Sequence, residues 1–200
     1  ELLAQGAHTI ALITPTHFLP WLLPALEPKL PVPLVYNCGG YERVETLRSL
    51  EGLVDIWLPD LKYADGALAS QLSAAPDYFP VATAAIQEMF RQTGPYVMEN
   101  GLLRRGVVIR HLVLPGYLDN TRRVIDWVAE TFRPGDVLFS LMSQYTPQLG
   151  AQGRLARRLT RAEYRAAADY MRNCGIIDGF TQERTAAREE YTPPFDLTGV

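Results

Sequence analysis

The chain has 200 residues, and its 48% hydrophobic and 20% charged content suits one globular domain with a substantial core. A formal net charge of -3 argues against a general nucleic-acid binder, which needs a clustered basic surface. No apolar run is long enough for a membrane span, since WLLPAL is short and broken by proline.

Strand and helix patterns alternate along the sequence. ELLAQG reads as the last turn of a helix closed by Gly6, so further chain is expected before it, and targeting segments are not judged from this start. HTIALIT (His8 to Thr14) is a short strand, followed by a Pro-Thr-His turn and the helical PWLLPALEPKL. PVPLVYN is the next strand, ended by Cys38-Gly39-Gly40, and YERVETLRSLEG is an amphipathic helix closed by Gly52. VDIWLPDLK follows as a strand, then a loop or short helix over 64–75, then the long helix DYFPVATAAIQEMFRQTG. Asn100-Gly101 marks a two-residue hairpin whose second arm, GVVIRHLVLPG, is the clearest strand in the sequence. The helix DNTRRVIDWVAETF has Asp119 or Asn120 as its expected cap. DVLFSLMSQY is a further strand, and Thr160 with Glu163 forms a capping box before the last helix, closed by Gly175.

Apolar strands separated by helices predict a mainly parallel sheet. The sequence lacks a Gly-x-Gly-x-x-Gly turn, which favours a TIM-type barrel or open part-barrel over a doubly wound sheet. No domain boundary interrupts 1–200, and the proline-rich end, 183–200, reads as a surface tail.

In such barrels the chemistry gathers where strands end at their C-terminal side. Alternation puts Ile56, Leu58, Asp60 and Lys62 on one face, so that face passes from apolar to charged in one step. A solvated ion pair at the rim is the bland reading, and an inward-facing site is favoured over it. Arg110 shares its face with Val108, Leu112 and Leu114, and an arginine in that company needs an anion or acceptor. His111 falls on the opposite face and is expected to be a structural histidine under the helices. His17 either reaches the site or sits in the first turn of the following helix. Cys38 is expected to be a small buried residue rather than a nucleophile. Gly39 and Gly40 either let a ligand approach the backbone or simply make the turn. Cys38 and Cys174 match no metal spacing or disulfide framework, which points to a reducing compartment and a cytoplasmic location.

TPTHFLPWLLPAL, LVYNCGGYE, VDIWLPDLKY, VIRHLVLPGYLDNT and SLMSQYTP together resemble the C-terminal two-thirds of a radical S-adenosylmethionine protein. The group most similar is that of the pyruvate formate-lyase activating enzyme, and the likeness runs from about Glu1 to Gln182 in the right order. The resemblance implies a partial (β/α)6 barrel of mainly parallel strands that lacks its first βα unit here. It implies S-adenosylmethionine and a 4Fe-4S cluster as cofactors, the cluster held by a Cys-x-x-x-Cys-x-x-Cys loop. This sequence has no such loop, so those ligands are expected upstream and the chain alone is expected to be inactive.

Carried over by position, Asp60 and Lys62 match the family Asp-x-Lys that binds the amino and carboxylate groups of the methionyl part. Arg110 matches an arginine near the cofactor, Asn37 lines the site, and Tyr145 lies near the adenine. Thr14, Pro15 and Thr16 stand where relatives carry Gly-Gly-Glu, so Thr16 is the expected contact there. The resemblance further implies a protein substrate and a reduced flavodoxin or ferredoxin as electron donor. The rival readings are a metal-dependent hydrolase using His17, Asp60 and His111, and a non-catalytic remnant.

Overall fold

The protein, seen in a computed structural model, is described over residues 2–27 and 29–181, so the expected tail at 183–200 lies outside the described residues. The first turn is a short 3-10 helix, Leu2–Gln5, closed by Gly6 at φ 82°. Strands β1 (Ile10–Ile13), β2 (Leu34–Cys38) and β3 (Ile56–Pro59) follow, with helices α1 (Leu19–Leu26) and α2 (Val44–Arg48) between them. Next come α3 (Gly66–Ser73), α4 (Tyr78–Thr93), β4 (Val97–Glu99) and β5 (Leu102–Leu112). The described chain ends with α5 (Leu118–Thr131), β6 (Leu138–Met142), α6 (Arg161–Asn173) and β7 (Gly179–Thr181).

The strands form one sheet in the order β1-β2-β3-β5-β6-β7, every neighbouring pair parallel, with β4 antiparallel to β5. The order never reverses, which removes the doubly wound alternative, because that fold needs a switch point. Right-handed crossovers on a sheet that grows in one direction leave all connecting helices on one face. The result is an open α/β sheet consistent with a partial barrel. The Asn100-Gly101 hairpin forms as expected, with φ of 52° and 78° at the two turn residues, the geometry of a type I′ turn.

The core lies between sheet and helices. Tyr36, Trp57, Ile109, Phe139 and Leu141 are fully buried on the helix face of their strands. On the other side of them, α4 offers Ala82, Ala85, Ile86 and Met89 at spacings of three and four, one stripe of an amphipathic helix. Helix α6 contributes Ala167, Ala168 and Met171 in the same manner, and the Thr160–Glu163 capping box starts it as predicted. The opposite, helix-free face carries Val35, Ile56, Leu58, Val108, Leu112 and Met142, and at its edge Ile13 is 74% exposed.

Three details differ from the sequence reading. Strand β7 is additional, too short and too flanked by polar residues to show in the pattern. Helix α5 starts at Leu118, before both expected caps Asp119 and Asn120, with Tyr117 in the capping position and no side-chain cap bond from it. Asn120 is instead spent on the neighbouring loop, taking the amide of Ala64 at 2.8 Å and donating to the carbonyl of Lys62 at 3.0 Å.

Candidate functional site

The site is built where β2, β3 and β5 end side by side. The chain continues past Pro59 in register: the Asp60 amide donates to the Cys38 carbonyl at 3.0 Å, and the Leu61 amide to the Arg110 carbonyl at 2.8 Å. This extension places the Asp60 and Arg110 side chains as cross-strand neighbours on the helix-free face. Their charges meet there, Arg110 Nη2 lying 2.7 Å from Asp60 Oδ1. The same nitrogen donates to Asn37 Oδ1 at 2.7 Å, and Lys62 Nζ lies 3.6 Å from Asp60 Oδ2. The Asp60 and Arg110 side chains are largely withdrawn from solvent, at 18% and 23% exposure, while Lys62 keeps 44%.

Two cations surround one carboxylate, so the cluster carries a net positive charge. A cavity of about 250 Å³ opens beside it, lined by Asp60, Lys62, Tyr63, Arg110, Leu112, Leu114 and Met142. Arg110 Nε is buried and has no hydrogen-bond partner among the described residues. A buried donor left unpaired is costly, and an acceptor in this cavity would satisfy it. The cavity thus joins an apolar wall to a cationic end that includes a buried donor, an arrangement suited to a ligand with an anionic group on an apolar body.

The glycine turn after β2 closes the back of the site. Gly40 has φ 80°, and a Cβ there would sit 2.0 Å from the Asp60 carbonyl oxygen. Gly40 is therefore required by close approach of two chain segments. Tyr78, the first residue of α4, reaches the same point: its hydroxyl lies 2.8 Å from the Asp60 carbonyl, 2.9 Å from that of Gly39 and 3.1 Å from the Lys62 amide. Sequence reading missed Tyr78 and Asn120, because both contribute through contacts to residues distant in the chain. The available hint was chemical: a tyrosine on the apolar side of a helix needs a partner for its hydroxyl.

Not every predicted site residue joins this cluster. The Thr16 hydroxyl lies 2.9 Å from Tyr36 Oη and 3.0 Å from each oxygen of Glu42, tying the turn after β1 to the loop after β2. Glu42 is buried, which raises its carboxyl above the usual range, while the Thr16 hydroxyl pulls it partly back. Thr14, just before, holds φ at 50°, a strained value for a β-branched residue, and its amide donates to the Asn37 carbonyl at 2.8 Å. Tyr145 donates its hydroxyl to the Leu155 carbonyl at 2.9 Å, fastening the loop after β6. Asn37, Asp60, Lys62 and Arg110 come together; Thr16 and Tyr145 hold the surrounding loops.

The histidines settle as follows. His111 is fully buried under the helices, with Nδ1 2.7 Å from the Leu61 carbonyl and Nε2 2.9 Å from Thr121 Oγ1. His17 is exposed in a 3-10 turn, its ring 4.0 Å from that of Phe18. Neither joins Asp60, and no group of three metal-ligating side chains is assembled among the described residues. The ligand set of the hydrolase reading therefore does not form.

Cys38 is buried, and that burial pushes its thiol up to about 12, with the Gly40 backbone acting in the other direction. Cys174 is partly exposed. A maleimide at neutral pH is expected to label the native protein at Cys174 and to reach Cys38 only after unfolding, as mass spectrometry of peptides would report.

No protein-family model matches the chain. An uncharacterized protein of Methanocaldococcus jannaschii is 29% identical over 143 residues, which is 69% of this chain and 37% of that protein. The chain thus spans well under half the length of that relative. Among solved structures, a domain of pyruvate-formate lyase-activating enzyme from Bacteroides vulgatus shares the fold, with a TM-score of 0.62. The match covers 88% of this chain and 98% of that domain at 12% identity, a likeness of architecture rather than of sequence.

Proposed function

We propose that the chain is the S-adenosylmethionine-binding portion of a radical S-adenosylmethionine protein related to glycyl-radical activating enzymes. The observation that carries this reading is the Asp60–Arg110 pair at 2.7 Å, opening onto a cavity with an unpaired buried Arg110 Nε. Lys62 and Arg110 would take the carboxylate of the methionyl part through charge-assisted hydrogen bonds. Asp60 would take the ammonium on the lone pairs that its two cations leave free, since a carboxylate offers about four acceptor sites. Asn37 steadies the guanidinium, and Leu112, Leu114 and Met142 supply an apolar wall.

Bound there, S-adenosylmethionine would supply hydrogen-atom abstraction as its chemistry. The described residues do not fit an iron–sulfur cluster, because they assemble no group of three metal ligands. The role assigned to this chain is accordingly to bind and orient the cofactor. For the longer protein, the resemblance supports a protein substrate and a flavodoxin or ferredoxin as electron donor.

Calorimetric titration tests the reading. S-adenosylmethionine is expected to bind saturably, and adenosine, which lacks the zwitterion, at least about tenfold more weakly. Equal affinity for the two compounds, or none for either, would defeat it.

A further inference from the structure

Asp60 and Lys62 lie just past the end of β3, facing Arg110 on β5. The Asp60 amide still bonds the Cys38 carbonyl at 3.0 Å and the Leu61 amide the Arg110 carbonyl at 2.8 Å, and the Asp60–Arg110 bridge is the last between these strands among the described residues. Side chains hold the next two residues: His111 donates to the Leu61 carbonyl, Asn120 to the Lys62 carbonyl, and a phenol takes the Lys62 amide. Tyr78 is buried, and its hydroxyl oxygen accepts from the Lys62 amide at 3.1 Å. Its one proton is shared between the Asp60 carbonyl at 2.8 Å and the Gly39 carbonyl at 2.9 Å. One oxygen thus ties three points on two different strand ends, all within two residues of a charged or amide side chain of the cluster. The ring is held independently, stacked on Tyr41 with centroids 6.0 Å apart and edge-on to Tyr63 at 5.3 Å. Removing the oxygen therefore leaves the ring its packing.

We propose that Tyr78 is a positioning residue for the cofactor site, setting the backbone that aims Asp60 and Lys62 at their ligand. This inference rests on the S-adenosylmethionine reading for its ligand, but not for its geometry. Loss of the phenol oxygen frees the Lys62 amide and two carbonyls; the bonds to Cys38, Arg110, His111 and Asn120 remain, but the backbone that aims Asp60 and Lys62 loosens. A misaimed anchor binds more weakly even though it is still present.

The test compares the chain with Tyr78→Phe and with Tyr41→Phe. Tyr41 is the control, since its hydroxyl bonds Asp77 at 2.7 Å and does not touch the cluster. Three quantities are read: affinity for S-adenosylmethionine, exchange of the Lys62 amide followed by NMR, and melting temperature. Tyr78→Phe is expected to weaken binding about tenfold, the equivalent of one lost hydrogen bond, and to speed Lys62 exchange by a similar factor. Tyr41→Phe is expected to change neither. A lower melting temperature with unchanged affinity and unchanged Lys62 exchange would make Tyr78 merely structural and overturn the proposal. If none of the three proteins binds the cofactor, the functional reading fails by itself. Lys62 exchange then decides on Tyr78, with an unaltered rate counting against it.

Discussion

Gly40→Ala is expected to cost about 3 kcal/mol of folding stability, from a left-handed backbone without glycine together with an overpacked contact. The added methyl would meet the Asp60 carbonyl oxygen at 2.0 Å and the Tyr78 hydroxyl at 3.1 Å. Neither neighbour can yield cheaply, because the first is backbone in the sheet extension and the second is buried and bonded to three groups. The next residue back supplies the comparison. A methyl on Gly39 would have Lys62 Nζ as its nearest neighbour at 3.9 Å, the mobile end of a flexible side chain. Gly39→Ala is therefore expected to stay within about 1 kcal/mol of the parent protein. Urea unfolding of both variants checks this. Equal stabilities would mean that the two strand ends do not approach as closely as described.

The second large effect concerns acid. A carbonyl oxygen can only accept, so His111 Nδ1 carries the hydrogen toward Leu61 and Nε2 accepts from the Thr121 hydroxyl. That is the neutral imidazole. Burial pushes its pKa down to about 4 from 6.5, against a smaller upward pull from the Leu61 carbonyl. In the unfolded chain the imidazole titrates near its ordinary value, so between these two limits the unfolded state binds the extra proton. The contribution is thus complete above pH 6.5 and is lost as pH falls toward 4. The span corresponds to about 3 kcal/mol. Unfolding free energies measured from pH 7.5 to 4.5 should fall along this course, and His111→Gln should flatten the slope while lowering stability at neutral pH. A parent protein with constant stability over that range would show that His111 is solvated or charged in the folded state.

Much of this was legible in the sequence because it depends on periodicity. Alternation along VDIWLPDLK and GVVIRHLVLPG is enough to put Asp60, Lys62 and Arg110 on one face and His111 on the other, and the structure brings those three charges together. The parallel order followed from strands separated by helices, and the hairpin from Asn100-Gly101. What stayed hidden depends on contacts across the chain. Asn120 resembled a helix cap, yet it serves a loop 56 and 58 residues earlier, and helix capping is read only from the local sequence. Thr16 lay at the expected strand end, but the direction of its hydroxyl was set by Glu42, a buried acid that no local pattern marks. Tyr78 opened an ordinary amphipathic helix. Strand β7 was too short to carry a period.

The most direct measurement is the dissociation constant of S-adenosylmethionine for the parent chain, Asp60→Ala and Arg110→Ala, taken with circular dichroism to confirm that each is folded. The parent is expected to bind, and each variant to lose at least about tenfold in affinity, the loss of one charge-assisted hydrogen bond. Folded variants that both bind as tightly as the parent would contradict a cofactor site at the ends of β2, β3 and β5.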